Sequence, residues 1–489
     1  MCGARRRVHH GGGCTTSSAS HPPLLLTSTA AALYFSCGSG CSTMMLHALG
    51  PSTAAPAIMP PARPSASPPP ITWPTAGQVQ PYTPPAWLTD RLSPDALARL
   101  PRSRLALLPL PTPVHALTLC GAVTAGLPPG IRLYIKRDDV AVGLLGGSKA
   151  RKLAFSLAAA AAAGATAVVT AGNAGSNHTA ATAVAAARVG LDAHVLLLTD
   201  DPADLGGAVA AMGGLAAVHA AVGTRVHLVP AAVHGRIEAA LDAAASRLQA
   251  SVPGGGGGGA AAASPPPRVA VVGMGGSDAV GLFGFLDAWE ELRQQGAFGD
   301  AAITDVVVPS GSGGTAAGLA LAAAAAGNDR ICVHAVVVRN DAAHCRRHAA
   351  RMAAAWGLPP PSEAVLDVIE GYDGGGYGPL VGDGATERLA AAVGAANGLV
   401  LDPVYTRKAF AGMLAELAAD SGRAAKRFRG GGVLFVHTGG MAGLLGVGGV
   451  ADPHGESARG NQGARDAGCT LFVLSQARGN GLFPPCLFA

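Results

Sequence analysis

The chain has 489 residues, 49% of them hydrophobic but only 4% aromatic, so any large core must be built from close-packed Ala, Val and Leu layers. A net charge of +5 is mild, and no basic patch interleaved with aromatics occurs, which argues against a nucleic-acid partner. The nine cysteines are odd in number and scattered, which suits a reducing compartment and supplies no zinc-ligand spacing.

Residues 1–80 carry Arg5, Arg6 and Arg7, are rich in Ser, Thr, Ala and Pro, and hold no Asp or Glu. That composition predicts an organellar transit peptide followed by a linker. Plain low-complexity disorder gives the same composition, and residues 24–35 resemble a secretory core interrupted by Thr27, Ser28 and Thr29. From 81 onward the chain alternates strands and helices. A short helix is expected over 95–100, and the proline-rich 109–115 segment must be extended. A strand over 133–136 leads to the acidic turn Asp138–Asp139, a glycine pair and a long alanine-rich helix ending near 163. Residues 153–171 are uncharged but too rich in Ala and Gly for a membrane span. Strands follow at 167–171, 194–198 and 225–229, with helices at 179–189, 205–212 and 234–248. Residues 251–267 read as a flexible insertion. The rhythm resumes with strands at 269–272, 305–308, 332–338 and 432–436 and helices at 282–294, 316–326, 386–396 and 407–419. Arg346, Arg347 and Arg351 are expected on a solvated helix face. After 449 the periodicity fails, and 471–474 is at most one short strand. The βαβ rhythm predicts an α/β fold with mostly parallel sheets.

The start of the 148–163 helix is unusual. Lys149, Arg151 and Lys152 face the positive end of the helix dipole, where acids are normally found, at a cost of roughly 0.3–1 kcal/mol each. The chain also has only five lysines, Lys136, Lys149, Lys152, Lys408 and Lys426, against many arginines. Arginine cannot lose its proton or form a Schiff base, so a lysine kept here suggests an amine that must be deprotonated. A basic, solvated helix end is the plainer reading, and the residues alone leave both open.

Three strand–loop–helix joints are glycine-rich: GGSK (146–149), GNAGSNH (172–178) and GSGGT (311–315). Each can present free backbone N–H groups to an anion. GSGGT is the strongest phosphate candidate, with Gly311, Gly313 and Gly314 allowing close approach and Ser312 and Thr315 adding hydroxyls. It is neither a Walker loop nor a full dinucleotide fingerprint. A phosphate loop, a second anion loop and an isolated lysine together suit pyridoxal phosphate.

The segments KRDD…GGSKARKL, GNAGSNHTAATAVAAARVGL, GGSDAVGLFGF, PSGSGGTAAGL, GYG, LDPVYTRKAFAGM and VLFVHTGGMAGLLG, in this order, resemble the D-cysteine desulfhydrase / 1-aminocyclopropane-1-carboxylate (ACC) deaminase family. These are fold-type II pyridoxal-phosphate enzymes related to the tryptophan synthase β chain. The resemblance implies a two-domain fold, each domain an open, mostly parallel sheet flanked by helices. The large domain would comprise 81–151 and 271–449, the small domain 152–270, with an irregular tail over 450–489. It implies that Lys149 carries the cofactor's aldehyde and moves the proton at the substrate α-carbon. Asn177 would contact the cofactor's phenolic oxygen, and Ser176 and His178, with their loop amides, would hold the substrate carboxylate. Gly311 to Thr315 would hold the phosphate, and Tyr377 and Tyr405 match the two active-site tyrosines. Thr438 would lie near the pyridine nitrogen. Where ACC deaminases carry a glutamate after the DPVY tyrosine, this chain has Thr406. A hydroxyl there favours a neutral pyridine, a weaker electron sink suited to elimination, and so the desulfhydrase branch. No metal is implied, and a homodimer is. Three positions depart from the family pattern: Ser148, Gly175 and Arg407. Like charge from Arg151 and Lys152 is expected to lower the pKa of Lys149.

Overall fold

Long apolar runs in the sequence become strands covered on both faces, as parallel sheets require. The computed structural model describes residues 78–119, 123, 126–140, 147–250, 268–375, 384–420, 422–423, 426–444 and 474–475. Two expectations, the leader and linker over 1–80 and the insertion over 251–267, lie almost wholly or wholly outside these residues.

The larger sheet has six strands. In spatial order they are β11 (Leu366–Ile369), β10 (Cys332–Val337), β9 (Ile303–Ser310), β12 (Gly432–His437), β4 (Arg132–Arg137) and β3 (Val114–Ala116). All neighbours pair in parallel except β3 with β4, whose antiparallel register sets His115 opposite Ile135. The smaller sheet runs β13 (Leu474–Ser475), β7 (Arg225–Pro230), β6 (Asp192–Thr199), β5 (Ala167–Asn173) and β8 (Val269–Val271), parallel throughout. The tail thus adds a two-residue strand beside β7, slightly later than the sequence suggested. A small antiparallel pair, β1 (Val79–Pro81) with β2 (Ser103–Leu105), precedes both sheets.

Twelve α-helices connect and cover these strands among the described residues. They are α1 (Ala86–Thr89), α2 (Pro94–Ala98), α3 (Ser148–Ala162), α4 (Asn177–Arg188), α5 (Leu205–Met212) and α6 (Gly214–Ala221), followed by α7 (Ile237–Ala250), α8 (Phe283–Gln294), α9 (Gly314–Ala325), α10 (Ala342–Ala355), α11 (Gly384–Asn397) and α12 (Thr406–Asp420). α9 is apolar on every side and almost wholly buried, as expected of a helix inside a core rather than on a surface. Its small residues permit close approach: a Cβ on Gly318 would lie 2.5 Å from the Phe285 Cβ of α8. α3, α8 and α9 share one core in which the few aromatics cluster. Phe155 meets Tyr82 edge-on at 4.8 Å, and Phe283 meets Trp356 at 4.9 Å. This core fixes the start of α3 and the start of α9, the two helix ends that face each other across the site.

Candidate active site

A cavity of about 910 Å³ opens where the C-terminal ends of β5 and β9 meet the first turns of α3, α4 and α9. Ligand sites in open α/β sheets form at such strand ends. Lys149, Ser176, Asn177, His178, the loop 311–315, Tyr405 and Thr438 all line it. Two further expected residues do not join them. Tyr377 lies outside the described residues. Thr406 is fully buried away from the cavity, its hydroxyl donating to Asp402 Oδ1 at 2.7 Å and accepting the Asp402 N–H at 2.7 Å. Its lone pairs and proton are spent on the turn that starts α12. The hydroxyl at this end of the cavity is that of Thr438.

Gly147 sets the position of Lys149. Its φ of 28° lies in a region that side chains avoid, and a Cβ would stand 2.7 Å from Asp138 O and 2.9 Å from Thr438 O. Ser148 N donates to Thr438 O at 3.1 Å, pinning α3 to the loop after β12. The Ser148 hydroxyl accepts from Lys149 Nζ at 3.3 Å, and the amine stands 5.8 Å from the centre of the Tyr405 ring. Burial lowers the Lys149 pKa to about 8, against a partial opposing pull from the Asp402 carboxylate.

The cause is therefore not the one the sequence suggested. Arg151 turns away from Lys149 and is neutralised. Its guanidinium donates to both Asp138 oxygens at 2.7 Å and to Glu291 at 3.0 Å, all buried. Lys136 bonds Glu291 from the far side and donates to Thr112 O at 2.8 Å. The acidic turn thus answers Arg151. Lys152 does face the cavity, its amine donating to Gly275 O and Ser277 Oγ, each at 3.1 Å. Burial and then the charge of Lys149 hold its pKa well below the ordinary range. Like charge thus acts on Lys152 rather than on Lys149.

The 311–315 loop is a cradle whose three glycines have no room for a side chain. Gly313 has φ of 88°, and a Cβ on Gly314 would lie 2.4 Å from Ser277 Oγ and 3.1 Å from Lys152 Nζ. Gly311 leaves space for Tyr405, whose Cε1 would be 2.9 Å from a Cβ there. Ser312 Oγ and Ser277 Oγ are 2.7 Å apart. On the opposite wall, Ser176 caps α4 by accepting from Thr179 N at 3.4 Å, and a Cβ on Gly172 would strike its Oγ at 2.6 Å. Asn177 is buried with Oδ1 lacking any partner. The His178 ring is committed elsewhere. Thr170 Oγ1 donates to Val272 O at 2.8 Å, so it accepts from His178 Nε2 at 2.7 Å. Burial, with the charges of Lys149 and Lys152, keeps His178 neutral. What His178 offers the cavity is its place in the first turn of α4, not a charged ring.

Two residues of the site carried no sequence expectation. Ser277 belongs to the GGSD segment and completes the cradle. Asp402 accepts from the N–H groups of Val404, Tyr405 and Thr406 at 2.8–3.1 Å, orienting Tyr405. A Cβ on Gly440 would fall 2.5 Å from its carboxyl carbon, so the loop after β12 packs directly on it. An Asp four residues before a helix's Thr is the only sequence signal for this cap.

The family model for pyridoxal-phosphate-dependent enzymes matches residues 108–439. The chain belongs to this family. It is 31% identical over 378 residues, 75% of this chain and 83% of the relative, to a mitochondrial bifunctional D-cysteine desulfhydrase/1-aminocyclopropane-1-carboxylate deaminase of Arabidopsis thaliana. It is 33% identical over 352 residues, 71% of this chain and 97% of the relative, to a D-cysteine desulfhydrase of Klebsiella pneumoniae. Among solved structures, a homologue of ACC deaminase superposes with a TM-score of 0.56 at 28% identity, covering 72% of this chain and 95% of that one. Fold-type II architecture and pyridoxal phosphate as cofactor follow from this membership.

The residues fit that group. A glycine-rich cradle at a helix N-terminus suits a phosphate, the buried Lys152 amine adds a donor beside it, Asn177 brings an unsatisfied buried acceptor atom and amide, and Lys149 supplies an amine with a lowered pKa. The three departures leave the cavity open. Ser148 keeps a hydroxyl on Lys149, a Cβ on Gly175 would meet nothing within 4 Å, and Arg407 reaches towards Glu387, 3.8 Å away, and is not among the lining residues.

Proposed function

We propose that this chain is a D-cysteine desulfhydrase, catalysing α,β-elimination to pyruvate, hydrogen sulfide and ammonia. The observation that carries the reading is a half-buried Lys149, with a pKa of about 8, in a cavity whose Tyr405–Thr438 end is lined by hydroxyls and no carboxylate among the described residues. The names of the Klebsiella and Arabidopsis relatives support it.

Bound pyridoxal phosphate supplies an electron sink for charge developing at the substrate α-carbon. Everything else falls to the chain. Lys152, Ser312 and the glycine amides hold the phosphate. Asn177, with its unpartnered Oδ1, would hydrogen-bond the ring's substituent, and Thr438 would supply a hydroxyl rather than a carboxylate towards the ring nitrogen. The α4 start, with Ser176, binds the substrate carboxylate. Lys149, neutral near pH 8, takes the α-proton, and Tyr405 beside it orients the leaving side. A hydroxyl there, in place of a carboxylate, would suit departure of sulfide from the β-carbon better than opening of a cyclopropane ring.

The two-activity name of the Arabidopsis relative favours ACC deaminase as the second reading. A turnover panel of D-cysteine, L-cysteine, D-serine and ACC decides between them: sulfide from D-cysteine without 2-oxobutyrate from ACC is the expected result, and the reverse pattern overturns the reading. We also propose a homodimer in an organellar matrix. The family resemblance and the composition of the leader support this, as does the mitochondrial designation of the Arabidopsis relative. Light scattering, and a fluorescent fusion of the first 80 residues, test the two halves.

A further inference from the structure

The cavity does not end at the phosphate cradle. Beyond Gly313 it continues between α10 and the turn at 231–236 that leads into α7. Two histidines of α10 flank the cradle's outer side. His344 Nε2 is 3.4 Å from Ser312 O, and a Cβ on Gly313 would lie 3.3 Å from the His348 ring. Arg236, Arg339, Arg347 and Arg351 line this outer part, and among the described residues Glu238 is the one carboxylate there, 2.7 Å from Arg351. The remaining lining acid, Asp278, is held by the N–H groups of Val280 and Gly281 at 3.1 and 2.7 Å. Glu370 and Asp341, near the start of α10, are taken up by the N–H groups of Ala342 and His344.

The sequence suggests a solvated basic face here, and Arg347 and Arg351 are indeed exposed; the structure adds that they form one wall of the cavity's outer part. His348 is only 6% exposed, and its Nδ1 accepts from Arg351 at 3.3 Å. In the neutral ring the proton is then on Nε2, a buried donor that has no acceptor. Such a donor is costly to leave unmet. Burial and the surrounding cations, Arg351 first among them, drive the His348 pKa down to about 3, so the ring is a neutral donor at working pH. His234 is likewise pushed down by burial and by Arg339.

We infer that this vestibule is an anion subsite in its own right, built for a phosphoryl group that lies beside, and not within, the cofactor's cradle. A carboxylate is satisfied by one guanidinium fork. Several guanidinium groups around one buried neutral donor match the larger charge and the tetrahedral oxygens of a phosphate. The occupant is free phosphate or the phosphate of a small metabolite, recognised from solution through the open side of the cavity.

The test is calorimetric titration of the cofactor-loaded enzyme with inorganic phosphate, glycerol 3-phosphate and citrate, at constant ionic strength, while cofactor absorbance is followed. One saturable phosphoryl site per chain is expected, without loss of cofactor. Tighter binding of the monoester assigns a metabolite, and tighter binding of phosphate assigns the free ion. Arg347→Gln combined with Arg351→Gln should raise Kd at least tenfold with cofactor absorbance retained. Glu238→Gln should lower Kd several-fold, an opposite sign that general damage to the fold does not produce. The His348 resonance should titrate at higher pH with phosphate bound. The inference is overturned by the absence of saturation, by a Kd that neither variant moves, by citrate binding as tightly as phosphate, or by release of cofactor in step with phosphate. None of these readouts requires turnover, so they stand or fall separately from the proposed elimination activity.

Discussion

Two faces of the same helical turn have opposite electrostatic fates. On one face of the α3 start, Arg151 is locked by Asp138 and Glu291, with Lys136 and Thr112 completing a buried ionic core. On the other, Lys149 and Lys152 enter the cavity, where they donate to hydroxyl and carbonyl oxygens. Both faces are dry. The difference is that one cation is given carboxylates and stays charged, whereas the amines are not and are driven towards neutrality. Positive charge is thus fixed where position matters and removed where a proton must move.

Breaking the cavity face has the largest effect on chemistry. Lys149→Ala should reduce sulfide release by at least about a thousandfold, since it removes both the nucleophile and the proton carrier. It should also abolish the long-wavelength absorbance of the bound cofactor, measured by reconstitution. Breaking the ionic face should leave the amines in place but cost folding. Arg151→Ala leaves the buried Asp138 carboxylate without its cation and Glu291 with Lys136 alone, and is expected to lower stability by about 3–5 kcal/mol in chemical denaturation. If that variant is as stable as the parent, the ionic core is not what holds α3. The cradle lies between these extremes: Gly314→Ala forces Ser277 aside, and at about 1–3 kcal/mol cofactor affinity should fall roughly 10- to 100-fold.

The pH dependence separates the two faces further. Because burial lowers the Lys149 pKa from 10.5 to about 8, capture of the cofactor by the apoenzyme should accelerate up to about pH 8 and then level off. The same depression means that the unfolded chain binds more protons than the folded one between the two values. Apoenzyme stability should therefore rise as pH climbs from about 8 to 10.5, a gain that Lys149→Met removes. The smallest effect is expected at the residue that seemed to choose the reaction. Thr406→Val should cost about 1 kcal/mol through its lost bond to Asp402 and leave the preference between D-cysteine and ACC unchanged. A shift in that preference would place the Thr406 hydroxyl at the ring after all.

These outcomes also mark how far the sequence could be read. The succession of strands and helices along the chain, the glycine joints and the residues they carry were legible because each signal is local: an apolar run, a Gly pair, a helix start. Thr406, His178 and Arg151 were not, because their roles depend on partners that folding supplies. Thr406 spends its hydroxyl on Asp402, four residues earlier. His178 spends its ring on Thr170 across a strand–helix joint. Arg151 answers Asp138, 13 residues away, and Glu291, 140 away. Charge counted along the chain gave the correct sign for the Lys149 shift but the wrong cause. The α10 arginines are exposed as expected; what nothing in their helix reveals is that Arg347 and Arg351 also line a cavity shared with the turn at 231–236.

The scarcity of lysine has a practical consequence. Lys136, Lys152 and Lys408 are each about 1% exposed and Lys149 is half-buried, which leaves Lys426 as the one lysine standing openly in solvent. Amine-directed labelling of the apoprotein should therefore be close to a two-site reaction among its lysines. Acylating reagents small enough to enter the cavity will find a nucleophile at Lys149 near pH 8, and larger ones will decorate Lys426 alone. Such a chain can be tethered or tagged through its amines with the catalytic one untouched, and a reagent's size decides which happens.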